Sequence, residues 1–274
     1  MQCAAKACIA TWLAAACGLA YGDKTEVYVA LAAVDFGYKE YSESGALLDR
    51  EDGALPGIVL EATRKMRDWE ITGGWRSVWG TADYGGRTNL GMPVSTETGE
   101  RIQSVSLRLA RRLEIGAASF APYIGFGFHE WQRDIRSTRT ANNAPVSGLF
   151  ETYAWKTAEL GIKAHVVRWG PLEGGFDARV FRVHQPSVKV RFPTQFDETR
   201  LALGEKSGAR LSILCSYPLD PPVGLRFELF HERWSFGRSA PQPLTSGGVV
   251  VGSVVEPRSE TRNTGVALGV VRSF

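Results

Sequence analysis

The chain ends Arg262-Asn263-Thr264-Gly265-Val266-Ala267-Leu268-Gly269-Val270-Val271-Arg272-Ser273-Phe274, and the reading of this stretch decides the fold. Counting back by twos from the terminus puts Phe274, Arg272, Val270, Leu268 and Val266 on one side. Ser273, Val271, Gly269, Ala267 and Gly265 fall on the other. A period of two is that of a β-strand. One face is bulky and the other small, so the two faces meet different surroundings.

The same alternation recurs upstream from residue 25, in segments near 27–38, 56–65, 69–80, 102–114, 123–129, 153–167, 172–180, 210–215 and 223–232. The gaps between them are long and short in turn, as in a meander of hairpins. With the closing stretch this predicts about ten strands, an even number that brings both termini and the short turns to one end. Nearly all prolines sit in gaps, turns or strand starts, where the ladder loses no donor. Trp69, Trp169, Tyr217 and Phe274 fall near the short-turn end. Tyr38, Trp79, Trp131, Trp155 and Trp234 fall near the long-loop end, and the two sets suggest interfacial girdles.

The closing stretch resembles the last strand of Gram-negative outer-membrane β-barrel proteins, which end in Phe after alternating apolar residues, a signal read by the assembly machinery of that membrane. Arg272 departs from the pattern, where an aliphatic or aromatic residue is usual. The resemblance implies an all-β fold, a single antiparallel transmembrane β-barrel of about ten strands, with outer-membrane lipid, lipopolysaccharide and the assembly machinery, through Phe274, as partners.

Residues 1–22 carry one cation, Lys6, then the apolar stretch 7–19 and Ala20-Tyr21-Gly22, a small-x-small cleavage pattern. They are expected to be a signal peptide, leaving 23–274 as the barrel. Lipoprotein processing at Cys17 is the variant, against which the missing Leu three residues earlier argues. Cleavage removes Cys3, Cys8 and Cys17 and leaves Cys215 alone, so no internal disulfide is available. Taking Lys6 from 32 basic residues leaves 31 against 29 acidic ones, net +2, a balance that excludes nucleic acid as a natural partner. Hydrophobic residues make up 44% and mean hydropathy is -0.14, so membrane crossing rests on alternating strands. Beyond the leader no apolar run reaches the roughly 18 residues of a spanning helix.

Charge placement bears on which face meets lipid. In most segments the charged face also carries glycines, at 57, 74, 125, 127, 161 and 175, which suit a concave crowded interior. The other face is rich in Phe, Leu, Ile and Trp. In the first segment this rule sets Tyr28, Ala30, Ala32, Val34 and Phe36 against Asp35 and Gly37. Glu61, Arg76, Arg108, Arg112, Glu159, Lys163, Asp177, Arg179, Arg226 and Glu228 are expected to line a narrow lumen and, being of both signs, to close it.

Chemistry-bearing patterns are sparse. His129, His165, His184 and His231 each lack a second ligand at metal spacing, so neither a metal nor a cofactor is expected. His129-Glu130 and His231-Glu232 lie near the long-loop ends, yet the spaced Asp and Asp-x-His pairs of the omptin proteases and the His-x-Ser of lipid A deacylases are absent. Asp49-Arg50-Glu51-Asp52-Gly53 offers oxygens for calcium or is a solvated turn. Arg133, Arg136 and Arg139 recur every third residue and are the candidates for lipopolysaccharide phosphates. The expected function is a non-enzymatic envelope or surface-binding barrel, with an outer-membrane protease, a lipid-modifying enzyme or a narrow pore as the alternative.

Overall fold

The computed structural model describes residues 24–88, 91–116, 118–193 and 195–274, so the expected leader and its three cysteines lie outside the described residues. Ten long strands form the wall. They are β1 (Lys24–Tyr41), β2 (Leu47–Met66), β3 (Trp69–Arg87), β4 (Pro93–Arg111), β5 (Ala118–Ile135), β6 (Leu149–Trp169), β7 (Leu172–Arg191), β8 (Ser207–Pro218), β9 (Val223–Phe236) and β10 (Arg258–Ser273). Each pairs antiparallel with the next, and β10 returns to β1 in continuous register from Glu26↔Ser273 to Tyr41↔Arg258. The sheet is a closed ten-stranded barrel with no free edge, the form of sheet that can cross lipid.

Local chemistry sets the short-turn end. Arg67, at φ 49°, turns β2 into β3 with Asp68, and Gly170, at φ 59°, turns β6 into β7. Two-residue links with positive φ match the twist of the strands they join. Above this end runs an outward apolar belt that includes Val29, Leu31, Phe126, Phe128, Leu268 and Val270, with Leu31 73% exposed. Trp69, Trp169, Tyr217 and Phe274 ring its lower margin, all exposed. In the closing strand Val266, Leu268, Val270, Arg272 and Phe274 face out, and Gly265 and Ala267 face in.

The strands run on past the belt. β6 has 21 residues, about twice the roughly ten needed to cross hydrocarbon at a tilt, so the long-loop half of the wall stands clear of it. There the outward positions turn polar, with Asp35, Asp52, Glu130, Lys156 and Arg262 exposed, and the inward ones turn apolar. This overturns two expectations. Tyr28, Ala30, Ala32, Val34 and Phe36 face the lumen, and Asp35 and Gly37 face out, because Val29 and Leu31 make the opposite face of β1 apolar too. Tyr38, Trp131, Trp155 and Trp234 form no outer girdle; all are buried inside, and only Trp79 of that set is exposed.

Candidate functional site: a lumen closed in layers

At the short-turn end the lumen carries Lys65 on Glu26 at 2.7 Å and Arg226 on Glu61 at 3.2 Å, with the Arg226 guanidinium 4.6 Å over the Tyr28 ring. Lys163 faces inward on β6 near them. Above lies an alternating ring. Arg108 meets Glu159 at 3.3 Å and Asp177 at 3.9 Å, and Arg179 meets Glu159 at 3.9 Å and Glu232 at 3.1 Å. Arg210 reaches Glu232 at 3.5 Å and Glu228 at 2.8 Å, and Arg76 ends the chain 3.7 Å from Glu228. Tyr123 donates to Asp177 at 2.6 Å, and Ser212 to Glu228 at 2.7 Å. Each acid thus faces at least one guanidinium, the arrangement that keeps ionised groups in a narrow interior.

Glycine makes the ring possible. A Cβ at Gly125 would lie 3.0 Å from the Arg108 side chain and 3.1 Å from the Leu107 carbonyl, and one at Gly161 would strike the Tyr123 ring at 2.4 Å. Beside the ring a cavity of about 80 Å³ is bounded by Arg76, Arg108, His129, Arg179, Glu232 and Asn263. That space is enough for a few waters.

An aromatic layer roofs the ring. Trp131 is its centre, stacked on Tyr153 at 4.8 Å and met edge-on by Tyr38 at 5.0 Å and Phe36 at 5.8 Å. Trp155 meets Phe236 at 5.2 Å and Trp234 at 6.0 Å, and Leu55, Val78, Phe181, Val183 and Leu201 fill the remaining section. His129 lies flat on Trp155 at 4.9 Å, with Nε2 3.1 Å from the Thr157 hydroxyl.

Arg133 lies above this roof, 1% exposed. Its Nη1 donates to Glu151 at 2.6 Å, Tyr153 at 3.2 Å and Glu40 at 3.4 Å, and its Nη2 to Glu51 at 2.9 Å. Glu100, bonded to the Trp131 indole, faces Glu51, and Asp49 faces Glu40. Carboxyls here outnumber guanidinium groups. Burial pushes Glu40 up to about 8 and Asp49 up to about 6, with the charge of Asp49 adding to the first and that of Glu51 to the second. Burial also raises Glu100 and Glu151. At Glu51 burial acts upward as well, but Arg133 and the bonds from Arg133 and Thr98 outweigh it and hold the group below its ordinary value.

Glu61, Arg76, Arg108, Glu159, Lys163, Asp177, Arg179, Arg226 and Glu228 all face the lumen. Arg112 does not; it bonds the Arg67 carbonyl at 3.0 Å and Glu114 at 3.3 Å on the short-turn rim, because β4 has ended before it. Arg133, Arg136 and Arg139 form no common patch. Arg133 is in the lumen because β5 continues to Ile135, Arg136 pairs with Glu97, and Arg139 bonds Asn143 across a turn. The Asp49 to Gly53 run is neither a calcium loop nor a solvated turn but part of β2, with Asp49 and Glu51 inward and Asp52 outward. Among the described residues no group of three His, Cys, Asp or Glu is placed to hold a metal ion. Sequence reasoning put Arg210 and Glu232 on the charged faces of their segments without naming them as lumen groups, and it missed Arg133 and its acids there. The signal for the first two was present, since Arg210 alternates with Leu211 and Glu232 with His231.

No family model matches the chain, and no curated protein does. Among solved structures, the outer membrane protease OmpT from Escherichia coli superposes with a TM-score of 0.62 at 11% identity, covering 94% of this chain and 99% of that one. The translocator domain of the autotransporter NalP from Neisseria meningitidis gives 0.44 at 11% identity over 100% and 98% of the two chains. Neisserial surface protein A gives 0.36 at 10% over 90% and 97%. The likeness to OmpT is one of fold: this chain is a closed ten-stranded antiparallel barrel of the Gram-negative outer-membrane type.

Proposed function

We propose that the protein is a non-enzymatic, non-conducting barrel of the Gram-negative outer membrane, exported by cleavage of residues 1–22, with its long-loop half outside the cell. The observation that carries this reading is the stacking of ion-pair and aromatic layers across the lumen, which supports a plugged interior in place of a pore. The histidines favour it as well. His129 borders only the small cavity beneath the aromatic roof, and His231 points outward from the wall, 2.9 Å from the Thr264 hydroxyl.

The same reading names a lipid partner. Just beyond the apolar belt the outward wall of β6 to β10 carries a basic arc of Lys156, Arg182, Arg233 and Arg262, the last two sharing Glu260, whereas β1 to β5 mix Asp35, Asp52, Asp83, Glu130 and Asp134 with Lys39, Arg50 and Arg101. Phosphate groups of the outer-leaflet glycolipid fit the basic arc. The closing strand, ending in Phe274, is the segment offered to the assembly machinery.

Planar-bilayer recording tests the function. Purified protein is expected to give no stable steps, and large ion-selective steps overturn the proposal. His129→Ala and His231→Ala are expected to leave envelope lipid and peptide substrates unaffected, whereas loss of a cleavage or lipid-modifying activity in either variant refutes the non-enzymatic reading.

A further inference from the structure

The link between β9 and β10, residues 237–257, crosses the long-loop mouth carrying a two-stranded hairpin, Gln242–Ser246 with Val249–Val254. Its base is tied by a few backbone bonds and by Arg238, paired with Glu43 at 2.9 Å. Gly237 and Gly204 exchange backbone bonds at 2.7 and 3.0 Å, the Ser239 N–H donates to the Glu256 carbonyl at 3.0 Å, and the Glu256 N–H donates to the Ser239 hydroxyl at 2.9 Å. Its hairpin turn rests on Asp197, which accepts from Gly247 at 3.2 Å and Gly248 at 2.9 Å. Glu256 alone drives a charged side chain from this link into the barrel mouth, where it is 6% exposed and accepts a hydrogen bond from Tyr153.

That bond raises a question of proton supply. The Tyr153 oxygen lies against both Glu256 and Glu151, 3.2 Å from the latter, but a phenol has one proton to give. Arg133 meets Glu151 at 2.6 Å and is shared further with Glu40 and Glu51, and it makes no ion pair with Glu256. Among the described residues no cation stands within ion-pair distance of Glu256, and Tyr38 gives its proton to Glu40 at 2.6 Å. Glu151 is thus served by Arg133, and Glu256, buried with no such cation beside it, is stabilised by keeping its own proton.

We propose that residues 237–257 form a strap latched over the outer mouth by the buried Glu256 carboxyl, and that loss of its proton releases the strap. Burial holds the Glu256 proton well above the usual carboxylate range, and the charges of Glu40 and Glu151 add to this, with Arg133 opposing. The sign follows. A carboxyl raised in the closed form stabilises that form fully below its ordinary value of 4.5, and the contribution is lost as pH rises from there through the raised value. Ionised Glu256 then faces Glu151 and Glu40 with no cation of its own, and the link is left to Val254 against the aromatic layer, the Asp197 and Gly204 bonds and the Arg238–Glu43 ion pair at 2.9 Å.

Hydrogen exchange on the whole barrel, refolded in detergent, tests the latch. After correction for intrinsic rates, protection of the Gly237, Ser239 and Glu256 amides is expected to fall roughly tenfold or more between about pH 6.5 and about pH 9.5, with β5 amides unaffected. Glu256→Gln keeps an acceptor for Tyr153 and cannot ionise, so its strap is expected to stay protected at both values. Equal protection of the unaltered protein at both, or loss in Glu256→Gln parallel to it, overturns the proposal. Tyr153→Phe provides a second reading: it removes the donor and is expected to lower strap protection already near neutral pH, and unaltered protection there overturns the latch as well.

Discussion

Replacing Arg133 by Met removes the cation from the outer cluster while keeping most of its apolar stem. Glu51, 0% exposed and bonded to Nη2 at 2.9 Å, is then left charged and buried, or takes up a proton. Proton uptake sets the ceiling. For a carboxyl with an ordinary value of 4.5, protonation at pH 8 costs about 5 kcal/mol at 1.36 kcal/mol per unit, and at pH 5 less than about 1 kcal/mol. Loss of the cation over the Tyr38 ring, 4.4 Å away, adds about 1–2 kcal/mol at either pH. The upper figure agrees with the roughly 3–5 kcal/mol typical of removing one partner from a buried pair. The sign is that of a depressed acid: Glu51 contributes stability above its ordinary value and loses it as pH falls, so the deficit of the variant is expected to shrink from pH 8 to pH 5. Urea unfolding in phospholipid vesicles, followed by tryptophan fluorescence at both pH values, measures it. A variant as stable as the parent at pH 8, or equally weakened at both, refutes the reasoning.

Phe126→Arg, on the lipid face at 60% exposure, is expected to cost about 2–4 kcal/mol, whereas Gln132→Arg on the same face of β5 beyond the belt changes stability little; urea midpoints distinguish the two. Trp131→Ala empties the centre of the aromatic layer and is expected to cost about 3–5 kcal/mol in the same assay. A Cβ at Gly269 would lie 2.1 Å from the Val29 carbonyl at the β1–β10 seam. Gly269→Leu is therefore expected to abolish the folded band whose gel mobility changes on boiling, which the parent protein retains.

The sequence made the membrane half of the barrel legible and the other half opaque, for one physical reason. Within lipid, Ile58, Leu60, Phe126 and Phe128 must face out and Gly125, Gly127 and Glu159 in, so alternation and charge agree. Beyond lipid the outside is water, the rule inverts, and Trp131, Tyr153 and Trp155 turn inward as they would in a soluble core. Period two is unaltered through that inversion, so nothing local marks it in β5 or β6. Arg133 was obscured for the same reason, since a spacing of three with Arg136 and Arg139 reads as loop when the strand is assumed to stop at the membrane surface. In β1, apolar residues on both faces left the orientation to charge, and Asp35, already past the belt, pointed the wrong way.

The pairing of β1 with β10 joins Tyr28 to Val271, partners near opposite ends of the chain. Every other wall contact is between neighbours in sequence and is available as soon as the next hairpin exists. The first strand to leave the ribosome is therefore the last to gain its second neighbour, and from Lys24 to Tyr41 it waits with one row of N–H and C=O groups unmet. Such an edge is a template for any passing strand, and ring closure between distant segments is slow. Transit to the membrane is thus a race between that seam and aggregation, and the race lasts until β10 is laid against β1.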